Sequence, residues 1–303
     1  MKISVIIPAY KPQHLLDALS SVFAQSYADY EVIVVNDGSP FEIRNILLPF
    51  IDSGRIVYIE QENRGTAAAR NRGLAEAKGE FVALLDDDDY WPEDKLRWQA
   101  LYLEDHQDIG VIVGHMIIVD NAGSVKWEPP MREGPVTFED VFSCAWTPGQ
   151  TLIRKTVIAE RQGFDETIWG ADDYDLWLSL ARSTSIMAVP RLALYYRTHE
   201  SNASRNALGM CLNIQRSLQK HLQLANPRSR TVLRLEATRF LYAYIGGIII
   251  REWKSRILRK EWSKSGKYFR AIAWMIRGAL PAPVFLASIF LEILPARFMV
   301  KHR

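Results

Sequence analysis

The chain is poor in cysteine: Cys144 and Cys211 are the only two in 303 residues. Two thiols cannot build a disulfide framework or a cysteine-only zinc site, so nothing in the sequence requires an oxidising compartment. Apolar runs long enough for a membrane are also missing. The start, Met1-Lys2-Ile3-Ser4-Val5-Ile6-Ile7-Pro8, is too short in apolar residues for a signal peptide and is expected to be a first strand. Residues 278–291 are 14 uncharged positions interrupted by Pro281 and Pro283, short of the ~20 that a spanning helix needs. There is no internal repeat. No G-x-G-x-x-G or Walker sequence follows a predicted strand, which argues against dinucleotide and P-loop chemistry. What remains is ordinary for a globular chain: 48% hydrophobic and 24% charged residues, with 17 Gly and 14 Pro. The length suits about two domains.

The net charge of +2 conceals a division, because residues 205–303 hold 19 Lys+Arg against 4 Glu and no Asp, whereas residues 1–204 hold 18 basic and 31 acidic side chains. An acidic front and a basic, apolar back suggest two tasks and a boundary near residue 204. Within the front, a nucleotide-binding half (about 1–106) precedes an acceptor half (about 107–204).

β-Branched runs at 2–7, 31–35, 55–59 and 80–85 read as buried parallel strands. Between them Leu15, Leu16, Leu19, Val22 and Phe23 fall at helical spacing. So do Ala67, Ala68, Asn71, Leu74 and Ala75, after a start at Gly65. This alternation predicts an α/β fold with an open, mostly parallel, Rossmann-like sheet between helices. Further strands are expected at 109–119, 151–154 and 192–197. A loop with a short helix is expected at 128–145, a helix at 172–182, and helices from about residue 202 onward. Ligands of such sheets bind at the carboxyl ends of the strands. Those ends carry Pro8-Ala9-Tyr10, Asn36-Asp37-Gly38-Ser39 and Asp86-Asp87-Asp88-Asp89.

Four adjacent aspartates after a buried strand repel one another, and a solvated acidic loop accounts poorly for their place. Mg²⁺ or Mn²⁺ would relieve the repulsion, since such ions take one or two carboxylates and complete their shell with substrate phosphates. Asp86 and Asp88 have the alternate spacing that puts two side chains on one side of an extended segment. An isolated Asp-Gly is usually only a turn, yet at a strand end Asp37 could accept a base N–H, with Tyr10 stacking on that base. A lone His199 is more often a packed or surface residue than a ligand. Its place after an apolar strand, beside Arg197, also allows contact with a metal or a diphosphate.

Several of these residues form an ordered series. Val5-Ile6-Ile7-Pro8-Ala9-Tyr10, Ser21 with Gln25, the stretch 31–39, Asn63-Arg64-Gly65 with Ala69-Arg70-Asn71, and Gly79-Glu80 precede Leu85 to Trp91. Gly163-Phe164-Asp165-Glu166, Asp172-Asp173-Tyr174-Asp175-Leu176-Trp177 and Tyr196-Arg197-Thr198-His199 follow. Across about residues 2–204 the chain resembles the inverting family 2 glycosyltransferases, which have the GT-A fold. The resemblance implies transfer from a nucleotide-sugar, most simply a UDP-sugar, to a hydroxyl of a glycan or lipid-linked acceptor. Pro8, Tyr10, Asp37, Arg70, Asp86 and Asp87 would bind the nucleotide-sugar. Asp88, with His199, would hold Mn²⁺ or Mg²⁺, and Asp173 would be the catalytic base. Asp172, Trp169 and Arg197 would serve the acceptor or secondary contacts. Asn36 and Asp172 depart from the residues commonest in the family at those positions.

Helical spacing also favours Asp173. It shares a face with Leu176, Trp177 and Leu180 and so is expected to point inward, whereas Asp172 aligns with Asp175 and Ser179. Trp91 is expected to pack, and Trp146 is a further aromatic that could stack on a sugar. In the basic tail, Trp253, Trp262 and Trp274 are interleaved with Lys and Arg around apolar stretches at 241–250 and 271–294. This pattern suits a helical region lying on an anionic membrane surface, and with it a cytoplasmic enzyme peripheral to the inner face of the cell membrane. A helical dimerisation or core-covering domain is the competing reading. Nucleic acid is not expected as a partner, since no recognised module is present. No oligomeric state is specified. Two other functions compete: a sugar-nucleotide nucleotidyltransferase, and a non-catalytic nucleotide-sugar- or lipid-binding subunit.

Overall fold

The computed structural model describes residues 2–143, 146–199, 202, 206–259 and 261–279. Their backbone contacts divide into two compact units, Met1–Phe138 with Ala145–Asn202, and Glu139–Cys144 with Ala203–Arg303.

The first unit is built on one sheet. Its elements begin β1 (Ile3–Ala9), α1 (Leu15–Phe23), β2 (Tyr30–Asp37), α2 (Ile43–Asp52), β3 (Val57–Gln61), α3 (Thr66–Glu76), β4 (Phe81–Leu84), α4 (Lys95–Asp105) and β5 (Ile109–Val119). They continue with β6 (Val125–Trp127), β7 (Gly134–Val136), β8 (Thr151–Arg154), α6 (Lys155–Glu160), α7 (Asp172–Leu180) and β9 (Ser185–Arg197), while the short α5 (Phe138–Val141), between β7 and β8 in the chain, falls in the second unit but for its first residue. The strand order is β3-β2-β1-β4-β8-β5-β9-β7, with β6 paired to β5. Every residue of β1 and β4 is buried, as expected for β-branched strands covered on both faces.

Direction within this sheet places the functional ends. β3, β2, β1 and β4 are mutually parallel. β8 is antiparallel to both β4 and β5, which turns β5 back to the direction of β1, and β9 is parallel to β5. The carboxyl ends of β1, β2, β4 and β9 therefore share one rim. The chain leaves β1 for β2 and β3, then crosses to β4 on the other side of β1. That reversal is the topological switch point where α/β sheets open a crevice for ligands. The expected strands 109–119 and 151–154 are β5 and β8. The run at 55–59 slides to Val57–Gln61, and 192–197 is the second half of a longer β9. Sequence reading did not single out α2, which carries Pro49 inside it.

The second unit is helical in its described residues: α8 (Ala207–Leu224), α9 (Arg230–Leu241), a π-helical turn (Tyr242–Gly246), α10 (Gly247–Leu258) and α11 (Trp262–Ala279). Cys211, Ile214, Leu218 and Leu222 on α8 and Ala271, Ile272 and Met275 on α11 are buried, and Gln215 Nε2 donates to the Ala271 carbonyl at 3.1 Å. Burial pushes the Cys211 thiol up to about 12, so it is a packing residue rather than a nucleophile. Of the apolar stretch 271–294, residues beyond 279 lie outside the described residues, as does Cys144.

The start of β4 is fixed by a close approach. Gly79 N donates to Ser4 Oγ at 2.8 Å, and Ser4 Oγ in turn donates to Glu31 Oε1 at 2.7 Å. A Cβ on Gly79 would come within 2.6 Å of Ser4 N and 2.7 Å of the Ile3 carbonyl carbon, both backbone atoms that cannot swing aside. Gly79→Ala is expected to destabilise the protein by ~1–3 kcal/mol through overpacking, read as a lowered thermal midpoint. An unchanged midpoint would contradict this close packing of β4 on β1.

Candidate active site

The four aspartates do not run extended. Asp89 N donates to the Asp86 carbonyl at 3.3 Å, closing a turn. The expected placement of Asp86 and Asp88 on one side is therefore corrected, because in a turn the alternation of a strand is lost. Each carboxylate instead meets a different element. Asp86 Oδ1 accepts from Arg70 Nη2 at 2.6 Å. Asp87 Oδ2 accepts from the backbone N–H groups of Tyr10 and Lys11 at 2.8 and 3.1 Å, which ties the turn across the switch point to the end of β1. Asp88 Oδ2 lies 3.0 Å from His199 Nε2 and accepts from Asn202 Nδ2 at 3.2 Å. Asp89, buried, accepts from the Arg197 N–H at 2.8 Å.

Crowding of this kind shows in the titration of the acids. Burial, with Asp88 beside it, pushes Asp87 up to about 7. Burial and Asp86 raise Asp88, against the pull of His199. Asp89 is raised well above the carboxylate range, chiefly by burial.

Arg70 joins this turn to α7. Arg70 is 4% exposed, and its guanidinium donates to Asp172 Oδ2 at 2.7 Å as well as to Asp86. Burial pulls its pKa down, but Asp86, Asp172 and Asp173 outweigh that and raise it overall. This corrects the expected orientation of α7. Asp172 is 5% exposed and Asp175 is fully buried against Arg161 at 2.6 Å, while Asp173 is only partly buried. The helix is enclosed nearly all round, so no polar face distinguishes Asp172 from Asp173. Burial, then the neighbouring Asp172, pushes Asp173 up to about 7, while Arg70 and the Tyr174 N–H draw it down.

At the end of β2, Asp37 accepts from Gln61 Nε2, Arg64 N and Gly65 N at 2.8, 2.9 and 2.8 Å. It thereby shapes the loop into α3, and of about four acceptor positions on a carboxylate one remains, on Oδ2. Gly65 has φ of 91°, open to glycine at little cost, and the indole of Trp169 lies 3.5 Å from where its Cβ would be. Tyr10 is 41% exposed and Trp169 is 45% exposed. Pro8 is buried in β1. Trp91 packs as expected, buried, with Nε1 donating to the Gly149 carbonyl at 2.9 Å, and the Trp146 carbonyl accepts from Trp177 Nε1 at 3.0 Å.

Arg197 braces the acidic turn. It donates to the carbonyls of Asp88 and Asn121, each at 3.0 Å, and to Asp17 Oδ2 at 3.1 Å. Sequence reading missed Asp17, Asn121, Asn202 and His14, whose ring lies 5.6 Å from that of His199. Only Asn202 had a local signal: it stands three residues after His199, where its Oδ1 accepts the His199 N–H at 2.5 Å.

Among the described residues no three His, Cys, Asp or Glu side chains converge as a full metal cage. Asp88 and His199 offer one oxygen and one nitrogen at a common point. This donor set would fit a Mn²⁺ or Mg²⁺ that completes its shell with phosphate and water.

A parallel sheet reversing at β1 and β4, with an acidic turn at the reversal, is the architecture of a GT-A sugar-transfer domain. The chain belongs to glycosyl transferase family 2, whose family model matches residues 4–161, and it is a glycosyltransferase. It is 30% identical over 210 residues to the Escherichia coli UDP-Glc:alpha-D-GlcNAc-diphosphoundecaprenol beta-1,3-glucosyltransferase WfgD, covering 67% of this chain and 80% of that protein. An uncharacterized glycosyltransferase of Rickettsia typhi is also 30% identical, over 68% of this chain and 67% of its own length. Among solved structures, S. aureus TarS 1–349 in complex with UDP-GlcNAc shares the fold with a TM-score of 0.71 at 18% identity, over 97% of this chain and 88% of that one. The mannosyltransferase PcManGT from Pyrobaculum calidifontis, in complex with GDP-Man and Mn²⁺, has a TM-score of 0.60 at 18% identity, over 98% and 82%.

An acid whose folded pKa is raised costs stability once the unfolded chain ionises while the folded state still holds the proton. For Asp173 the penalty is absent near pH 4 and builds as pH rises towards its folded value of about 7. Asp173→Asn is therefore expected to stabilise the protein by on the order of 1–3 kcal/mol at about pH 8, with the gain vanishing near pH 4. Denaturant unfolding at the two pH values reads this, and a gain independent of pH would contradict the perturbed ionisation.

Proposed function

We propose that the protein transfers a sugar from a nucleotide-sugar, of the UDP class, to a hydroxyl of a glycan or lipid-linked acceptor, with inversion and with a divalent cation. One observation carries the reading: a buried Arg70 binds a carboxylate of the acidic turn and a carboxylate at the start of α7, so donor-side and acceptor-side acids are held by one guanidinium. The UDP-Glc and diphosphoundecaprenol in the name of WfgD, and the UDP-GlcNAc in TarS, support the donor and a lipid-linked acceptor. Such an acceptor would place the enzyme at the inner face of the cell membrane.

Tyr10 would stack on the base, and the remaining Asp37 acceptor position would take a base N–H. Asp88 and His199 would hold Mn²⁺ or Mg²⁺, which when bound neutralises charge on the leaving diphosphate. Asp173, raised to about 7, is matched to proton transfer near neutral pH. It takes the acceptor hydroxyl proton as that oxygen attacks the anomeric carbon from the face opposite the diphosphate, so a single displacement inverts the centre. Burial raises the pKa of Asp172 and Arg70 draws it back down, and the pair fixes the first turn of α7. Trp169 stands at the Gly65 loop, where it can meet an incoming sugar.

The test is a nucleotide-sugar panel with Mn²⁺ and a lipid-extract acceptor, read by mass spectrometry of product and released nucleotide. Release of UDP with a glycosylated acceptor is expected; release of pyrophosphate would instead indicate a nucleotidyltransferase. Asp173→Asn is expected to lower kcat by ~10²–10⁴-fold while donor affinity by calorimetry stays within twofold of wild type, on the order of the scatter of such measurements. Transfer retained in this variant would remove Asp173 as the base.

A further inference from the structure

We infer that the outward face of α11 is a docking surface for an anionic lipid bilayer. The inference deepens the membrane placement proposed above and rests on it for its biological sense, but its geometry belongs to the helical unit alone.

Burial divides α11 cleanly. Tyr268, Ala271, Ile272, Met275 and Ala279 are buried, at the three- and four-residue spacing of one helix face. The opposite face carries two adjacent strips. One is basic: Lys267, Arg270 and Arg277 are exposed, with Trp274 partly exposed among them. The other is apolar: Phe269 is 59% exposed, Ala273 is exposed and Ile276 is partly exposed. An apolar strip running beside a basic strip on one exposed helix face is the pattern of an interfacial helix. A lipid surface covers both strips at once, with headgroup phosphates against the cations and the acyl boundary against Phe269 and Ile276.

Charge favours a lipid occupant of negative sign. No acidic residue occurs in α11, and the glutamates of α9, α10 and the turn after α10 are engaged within the helices. Glu236 pairs with Arg239 at 2.9 Å, Glu261 with Arg256 at 2.9 Å, and Glu252 accepts from the Tyr268 hydroxyl at 2.8 Å. At the end of α10, Leu258, 83% exposed, is followed by the exposed Arg259 and repeats the apolar–basic pairing. No helix among the described residues is long and apolar enough to cross a membrane, so this face would lie on the surface rather than span it.

The test uses the full chain and flotation with vesicles of phosphatidylcholine alone or mixed with phosphatidylglycerol, without sugar nucleotide. Wild type is expected to float with the mixed vesicles only. Each cation near an anionic leaflet contributes roughly fivefold to partition, so Lys267→Gln, Arg270→Gln and Arg277→Gln combined should weaken it by about 100-fold. Phe269→Ser should weaken it by roughly tenfold with all charges kept. Both variants change exposed positions, and a wild-type thermal midpoint shows that they are folded. Equal flotation of the triple variant, or binding that heparin or RNA abolishes and Phe269→Ser leaves unchanged, would overturn the surface. So would a wild type that does not float. Because transfer to the lipid-extract acceptor is read separately, by mass spectrometry and without vesicles, failure of flotation with transfer intact removes the docking face and leaves the transferase reading standing.

Discussion

A buried guanidinium with two carboxylates is the constraint on which the rest of the site depends. Arg70 sits on α3, 4% exposed, between Asp86 of the acidic turn and Asp172 of α7. Desolvating three charges is expensive, and their attraction offsets that cost only when the fork of Arg meets both acids at short distance. Removing one partner from such a set typically costs ~3–5 kcal/mol, because the others stay buried without compensation. Arg70 thereby ties together segments 102 residues apart in the chain. The acid that follows Asp172 is consequently fixed in position relative to the turn.

Within the turn, repulsion between neighbouring aspartates is resolved by division of labour. Asp87 is bound by the backbone at the end of β1, Asp89 by the backbone at the end of β9, and Asp86 by Arg70. Asp88 is the acid left facing His199 and Asn202. Arg197 closes the arrangement from behind by holding the Asp88 carbonyl together with Asn121 and Asp17. A rim assembled from four strand ends in this way gathers negative charge at one place, which the divalent cation of the proposed function would relieve.

Much of this was legible in the sequence wherever the physics is local. Strands such as β1 and β4 are legible because their apolar runs are unbroken and buried throughout, and β5 and β8 match their expected bounds, whereas β6 and β7, three residues each with no buried residue, carry no such run. The strand ends named Tyr10, Asp37 and the acidic run, because a parallel sheet has only one rim that can bind. Two readings failed where their assumption of geometry failed. Asp86 and Asp88 were placed by strand alternation, but the segment is a turn. Helical spacing singles out Asp173 as the inward acid, but α7 is buried nearly all round, and Asp172 and Asp175 are the more deeply buried, each against an arginine. The brace formed by Asp17, Asn121 and Arg197 spans up to 180 residues and has no local pattern to read.

The most direct measurement is a crystal structure with UDP and Mn²⁺, using the anomalous signal of manganese. The ion is expected between Asp88 and His199, with the uracil against Tyr10 and the diphosphate over the switch point of β1 and β4. Manganese bound away from Asp88, or UDP seated outside that rim, would contradict the site.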